Sequence, residues 1–321
     1  MVTEIHLRAP GGVERLEAAE MELPEPGPKE ILLRHEAIGV NFIDIYYRTG
    51  FYKLPSLPAV LGVEGAGIVE AVGAEVGSVR PGDRVAYAGA PMGAYASKRL
   101  LPADRAIGIP DGMASVTAAA ITVRGITAQM LLKRVHPIGP GVTILVHAAA
   151  GGVGQIVTRW GKRLGATVIA TVGSAEKAAI ARECGADHVI IHRAEDVVAQ
   201  VREITEGRGV DVAYDGIGAE MFLKSLACLK PFGVVASIGQ AGGPIPPVDL
   251  SHVRAATISR PSVMAYMTDS AAYHAAAAEV LELAASGFPV AIGARYELRD
   301  AARAHLDLEA GRTTGSIVLI P

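Results

Sequence analysis

Three glycines within four positions, Gly151-Gly152-Val153-Gly154, could bring a bare backbone up to a phosphate group. With no side chain in the way, main-chain N–H groups reach the anion, and a helix beginning there adds the positive end of its dipole. Ala150, just before them, belongs to the same turn. Further along, Gly173, Ser174 and Lys177 offer a small residue, a hydroxyl and an ammonium. An NAD site would be expected to carry an acid there, to hold the ribose 2′-hydroxyl. None stands at the tip, so a 2′-phosphate, and hence NADPH, suits these residues better. The plainer alternative is a helix cap at Ser174 beside a solvated Lys177.

The elements around these residues can be read from periodicity. Thr143 to Val146 is a short β-branched and aliphatic run, the pattern of a buried strand. After the glycines, Ile156, Val157, Trp160 and Leu164 fall on one helical stripe, with Gly165 as its stop. Thr167 to Val172 is the next strand. The usual G-x-G-x-x-G aligns with Ala149-Ala150-Gly151-Gly152-Val153-Gly154, so alanine replaces the first glycine. Strands at 189–191, 210–214 and 234–238 and helices at 194–204 and 219–228 continue the alternation. This is the rhythm of a doubly wound parallel sheet, an α/β fold. Gly239 and Gln240 follow its last central strand.

The flanks read differently. Residues 1–40 alternate apolar and polar positions between Pro/Gly clusters, which is antiparallel β character. Asn41 to Gly50 suits a short helix, capped by Asn41 and stopped by Gly50. Glycine-rich strand sequence at 60–72 and the turn Arg80-Pro-Gly-Asp-Arg-Val85 extend the β region into a small irregular barrel. Met113 to Ala120 and Ile121 to Val135 read as two helical stretches broken at Gly125. Ser262 to Met267 reads as one more strand, and Asp269 or Ser270 caps a long helix ending at Gly287. The tail, 289–321, is strand, helix and strand.

Composition narrows the function classes. The 321 residues, half of them hydrophobic, suffice for two cores. A formal charge of −3 provides no general attraction to nucleic acid or anionic lipid. The apolar runs are short and glycine-interrupted, so none is expected to span a bilayer. Met1-Val-Thr-Glu-Ile-His lacks the pattern of a secretory signal. Cys184 and Cys228 have no C-x-x-C spacing and suggest a reducing, cytoplasmic setting.

Several motifs together resemble the quinone oxidoreductases of the medium-chain dehydrogenase/reductase superfamily, the branch that includes zeta-crystallin. They are Asn41-Phe-Ile-Asp-Ile-Tyr46, Gly62-Val-Glu-Gly-Ala-Gly67, Gly125-Ile-Thr127-Ala, His147-Ala-Ala-Ala-Gly-Gly-Val-Gly154, Thr171-Val-Gly-Ser-Ala-Glu-Lys177 and Thr314-Gly-Ser-Ile-Val-Leu-Ile-Pro321. The resemblance implies a Rossmann NADPH-binding domain over 123–264. It implies a GroES-like catalytic domain built from both chain ends, 1–122 and 265–321. It also implies a homodimer whose Rossmann sheets join edge to edge through Ser262 to Met267.

The resemblance assigns Asn41, Tyr46, Tyr52 and Thr127 to the substrate and nicotinamide side. Asn41 and Tyr46 would hydrogen-bond a quinone oxygen or the ribose; a helix cap and a packed tyrosine are the ordinary alternatives. Tyr52 is a substrate-rim aromatic or an exposed loop residue, and Thr127 a nicotinamide contact or a helix threonine bonding its own backbone. Arg124 stands where many relatives carry lysine; it could meet a phosphate or cap the cleft, or be a surface arginine. His192-Arg193 falls where relatives have Tyr-Arg, and His192 could stack on adenine or meet the phosphate. His147 is placed to order the strand end rather than to move protons. Zinc-dependent members of the superfamily carry a cysteine near Asn41, a histidine where Val63 stands, and a four-cysteine lobe; no metal is expected here.

The implied activity is reduction of a quinone by hydride or one-electron transfer from NADPH. A related enone or enal reductase is the nearest rival, and a zeta-crystallin-like RNA-binding or structural protein the rival of another class. No membrane partner is expected.

Overall fold

A computed structural model of the chain describes residues 1–253 and 255–321. The chain begins with β1 (Val2–Leu7), β2 (Leu16–Met21), β3 (Glu30–Val40), α1 (Phe42–Thr49), β4 (Ala59–Val60), β5 (Glu64–Val72), β6 (Arg84–Ala88), β7 (Lys98–Pro102) and β8 (Ile107–Gly108). Helix α2 (Ser115–Met130) leads to β9 (Thr143–Val146), α3 (Gly152–Arg163), β10 (Thr167–Val172), α4 (Ala175–Glu183) and β11 (His188–Ile191). Then come α5 (Val197–Ile204), β12 (Val210–Asp215), α6 (Ala219–Ala227), β13 (Leu229–Ser237) and β14 (Thr257–Ser259). The chain ends with α7 (Val263–Tyr266), α8 (Ser270–Ala285), β15 (Ile292–Glu297), α9 (Ala301–Glu309) and β16 (Ser316–Ile320). Contacts divide it into two compact units, Met1–Ile126 with Met264–Pro321, and Thr127–Val263.

In the first unit β3 is the spine. It pairs antiparallel with β5, β7 and the C-terminal strand β16, whose Ile317 lies opposite Val40. Alternate side chains of β3, Ile31 and Leu33, turn into a core shared with Leu7, Leu61, Tyr95 and Leu319. A seven-stranded sheet and a three-stranded one, β2-β1-β4, form the irregular β structure expected from the short, glycine-punctuated strands.

The second unit is a six-stranded parallel sheet in the order β11-β10-β9-β12-β13-β14. The order reverses at β9, the strand that precedes the glycines. In such sheets ligands bind beyond the carboxyl ends of the strands at this reversal. Leu145, Ile169, Ile190, Val201 and Phe222 fill the core beneath it.

Two readings of the sequence need correction. Gly125 does not break a helix: α2 runs through it to Met130 and on through a π turn at Leu131–Val135. The glycine instead makes room, since a Cβ there would lie 2.3 Å from Cγ1 of Val280 on α8. Nor is Ser262 to Met267 a strand. Val263–Tyr266 is a helical turn, and the last strand of the sheet is Thr257–Ser259. Pro261, which cannot donate to a ladder, stands between this turn and the strand. The stretch Ser115–Val135 is long and apolar enough to cross a membrane by length and composition alone, at mean hydropathy 1.3 over its best window. Of that window 89% is buried inside the structure, as in a core helix.

Candidate active site

The glycine turn of the second unit is built as its sequence suggests. Strand β9 ends at Val146, Ala148 takes a positive φ of 50°, and its carbonyl accepts the Gly151 N–H at 2.8 Å. Helix α3 starts at Gly152, and the Gln155 N–H donates to Gly151 O at 2.9 Å. The N–H groups of Gly152, Val153 and Gly154 therefore precede the first bond of the helix, where an anion is favoured. Gly154 packs directly on the turn: a Cβ there would sit 2.3 Å from Ala148 O and 2.8 Å from Ala149 Cα. Ala150 is buried behind it, and its carbonyl accepts from Gln155 Nε2 at 2.9 Å.

His147 anchors this turn from below. Its Nδ1 lies 2.8 Å from Thr171 Oγ1 on β10, and its Nε2 lies 2.9 Å from Ser225 Oγ on α6. Burial first, and then His192, hold its pKa down at about 3, so the ring is neutral. A neutral ring held on both nitrogens orders the strand end, as expected, and is no acid at neutral pH. Its partner Ser225 was not singled out in the sequence, where no local pattern marks it.

At the next strand end, Gly173 follows β10 and Ser174 caps α4, accepting the Lys177 N–H at 3.4 Å. A Cβ on Gly173 would lie 3.6 Å from both His192 Nε2 and Arg193 Nε. The structure thus brings Gly173, Ser174, His192 and Arg193 together, with Lys177 one turn into α4. Lys224, on α6, also acts on His192. Spacing gave no sign of Lys224. Gln240 and Gly239 lie in the loop after β13, where Gly243 N donates to Gln240 O at 3.0 Å and Ala241 N to Gly216 O at 3.1 Å. Thr127 is buried in α2.

The first unit holds the remaining residues. Asn41 precedes α1, and its N–H donates to Asp44 Oδ2 at 2.8 Å, while Gly50 closes the helix at φ 81°. The Asn41 amide Nδ2 donates to Glu64 Oε1 at 2.7 Å. Arg124 Nη1 reaches the same oxygen at 2.9 Å, and the Val123 N–H donates to Glu64 Oε2 at 2.7 Å. Arg124 Nη2 donates to Val40 O. Arg124 is thus neither a surface residue nor a phosphate ligand: it is 5% exposed and paired with a carboxylate that is 0% exposed. A partner sixty positions away leaves no trace in local spacing. Burial raises the Glu64 pKa, and Arg124 is the strongest opposing influence.

Behind Asn41, Tyr95 donates its O–H to Asp44 Oδ2 at 3.0 Å and lies 2.9 Å from His305 Nε2. Burial pushes Asp44 up to about 7, against the Asn41 N–H and the Tyr95 hydroxyl. In front, Tyr46 and Tyr52 meet edge to face at 5.3 Å between centroids, and Phe51 lies 5.4 Å from Tyr46. Such edge-on contacts suit the ring quadrupoles. Phe51 is 49% exposed, so the cluster presents aromatic surface.

Comparisons with known proteins agree with this architecture. A family model described as "Alcohol dehydrogenase GroES-like domain" matches residues 27–111, and one described as "Zinc-binding dehydrogenase" matches residues 152–286. A quinone oxidoreductase of Pseudomonas aeruginosa is 44% identical, over 100% of both chains. The chain belongs to the quinone oxidoreductase family of the medium-chain dehydrogenase/reductase superfamily. The crystal structure of Escherichia coli quinone oxidoreductase complexed with NADPH superposes with a TM-score of 0.96 at 42% identity, covering 99% of this chain and 100% of that one. A 2-haloacrylate reductase from a Burkholderia species is 39% identical, over 100% of this chain and 99% of its own.

The description of the second family model raises the question of zinc. Zinc requires about three Cys, His or carboxylate ligands. Among the described residues no group of three His, Cys, Asp or Glu is arranged to hold a metal. Glu64, the carboxylate nearest Asn41, already carries a guanidinium and two N–H donors. This set of residues does not fit the ion.

Proposed function

We propose that the protein is an NADPH-dependent quinone reductase, whose second unit binds the dinucleotide and whose first unit carries the catalytic groups. The observation that supports this reading is a pair of turns at strand ends of one sheet, each built to suit an anion. The bare turn at Gly154 suits a pyrophosphate, and the His192, Arg193 and Lys177 group around Gly173 suits a 2′-phosphate. Ala150, Gly151, Gly152, Val153 and Gly154 would hold the first; Gly173, Ser174, Lys177, His192 and Arg193 the second. Gly239, Gln240 and Thr127 would meet the nicotinamide end. The relatives named quinone oxidoreductase, one of them crystallised with NADPH, support the assignment.

Bound NADPH supplies the hydride. The protein's own work is to hold, orient and desolvate. The aromatic cluster of Tyr46, Phe51 and Tyr52 offers flat faces to a flat acceptor, and its two phenols offer hydrogen bonds to a developing oxyanion. Glu64 holds one N–H of the Asn41 amide and so fixes which way the amide turns. Asn41 also shares a capping box with Asp44, so the amide is held at the start of α1.

A second reading, reduction of an activated C=C bond, is favoured by the likeness to the 2-haloacrylate reductase. It would use the same turn and the same 2′-phosphate residues, so only an acceptor panel separates the two.

The free, buried Cys184 and Cys228 accord with a cytoplasmic location. We also infer a homodimer joined at β14, the terminal strand of the six-stranded sheet, where Ile258 is 40% exposed and neighbouring Phe232 81%. Light scattering of the purified chain is expected to give twice the 33.2 kDa chain mass. A monomer mass at micromolar concentration would overturn this.

A further inference from the structure

The surroundings of His192 are unusual for an imidazole. It follows β11, and its N–H donates to Val172 O of β10 at 3.0 Å, which fixes it beside Gly173. The ring nitrogen Nε2 and Arg193 Nε converge on the same point above Gly173, each 3.6 Å from where a Cβ would be. Charges from three elements face the ring: Arg193 beside it, Lys224 on α6 and Lys177 on α4. His147, at the end of β9, also senses it. The acids close by are engaged elsewhere. Glu195 accepts the Ile191 N–H at 2.5 Å, and Glu176 is held by Ser174.

We propose that His192 determines dinucleotide specificity by taking up a proton when a 2′-phosphate binds beside it, so that preference for the phosphorylated dinucleotide strengthens as pH falls. The proposal rests on the NADPH reading above. In the free protein the ring is only partly buried and is surrounded by cations. Burial, then Arg193, Lys224 and Lys177, lower its pKa. A fourth positive charge in that group is disfavoured. A ribose 2′-phosphate carries about 1.5 to 2 negative charges near neutral pH. Its arrival reverses the local field and gives an imidazolium N–H a charge-assisted partner.

The sign follows from linkage. The bound form has the higher pKa, so binding takes up protons between the two values. Affinity rises as pH falls through the bound value and levels off below the free one. A ring that merely stacked on adenine would serve both dinucleotides alike and show no such difference.

The test is calorimetric titration of the full chain and of H192Q with NADP⁺ and with NAD⁺, at about pH 6.5, 7.5 and 8.5, in two buffers of different ionisation enthalpy. For the parent, the ratio of the NAD⁺ Kd to the NADP⁺ Kd is expected to rise about 3- to 10-fold more than for H192Q from the highest pH to the lowest, with net proton uptake. The phosphate's own titration, with a pKa of about 6, is common to both proteins and cancels in the comparison. Retained NAD⁺ binding by H192Q shows that the fold is intact. An equal pH slope in the two proteins overturns the proposal, and so does equal weakening of both dinucleotides in H192Q. NADP⁺ binding no tighter than NAD⁺ at every pH would overturn the NADPH reading itself, and the proposal with it.

Discussion

Gly154→Ala is expected to weaken NADPH binding by at least about 100-fold, which is ~2.7 kcal/mol, and to destabilise the second unit. The added Cβ would meet Ala148 O at 2.3 Å and Ala149 Cα at 2.8 Å, both backbone atoms with no rotamer to escape into. Overpacking of this kind costs about 1–3 kcal/mol, and the structure must yield where it is struck. Here that is the turn closed by Gly151 N–H to Ala148 O, which aims the first N–H groups of α3. Gly151→Ala is the control. Its Cβ approaches only Ala148 O, at 3.2 Å, and φ at Gly151 is an ordinary −81°. Fluorescence titration with NADPH should therefore rank parent, Gly151→Ala and Gly154→Ala in falling order. Affinity of Gly154→Ala within threefold of the parent would show that the turn is not the dinucleotide site.

Arg124→Met is expected to destabilise the first unit by about 3–5 kcal/mol, the usual result of leaving one member of a buried ion pair alone. Glu64 would keep the Asn41 amide and the Val123 N–H but lose its counter-charge. The loss should depend on pH. Burial already raises the Glu64 pKa, and removing Arg124 raises it further. An acid with a raised folded-state pKa contributes stability below its unfolded value, about 4.3. That contribution is lost as pH rises through the folded value. The deficit of Arg124→Met should thus widen toward alkaline pH and shrink in acid. Adding Glu64→Gln, which cannot ionise, should restore most of the loss at neutral pH. Urea unfolding of the three variants across pH checks this. A deficit that is the same at every pH, or a double variant no better than the single one, would contradict it.

The parts of the molecule legible in its sequence are those governed by local physics. The run from Thr143 to Val172 declares itself through β-branched residues, glycines and one apolar helical stripe, and the structure follows it residue for residue at β9 and β10. The short helix between Asn41 and Gly50 is equally local, with a cap at one end and a left-handed stop at the other. Where the reading failed, the deciding partner lay far along the chain. Gly125 looks like a helix breaker until Val280 is seen to need the space. Arg124 looks like a surface or phosphate residue until Glu64 is found beneath it. Ser262 to Met267 has a strand's composition, but a helical turn at Val263–Tyr266 follows Pro261. The Asp44–Tyr95–His305 chain and Lys224 likewise depend on tertiary placement.

The most direct measurement of the central claim is the initial rate of NADPH oxidation, and separately of NADH oxidation, with 1,4-benzoquinone, a naphthoquinone and an enone as acceptors, each with excess chelator. Quinone-dependent oxidation of NADPH well above that of NADH, unchanged by chelator, is the expected result. Turnover of the enone with idle quinones would move the function to C=C reduction. No turnover of any acceptor while NADPH binds tightly would contradict quinone reduction altogether.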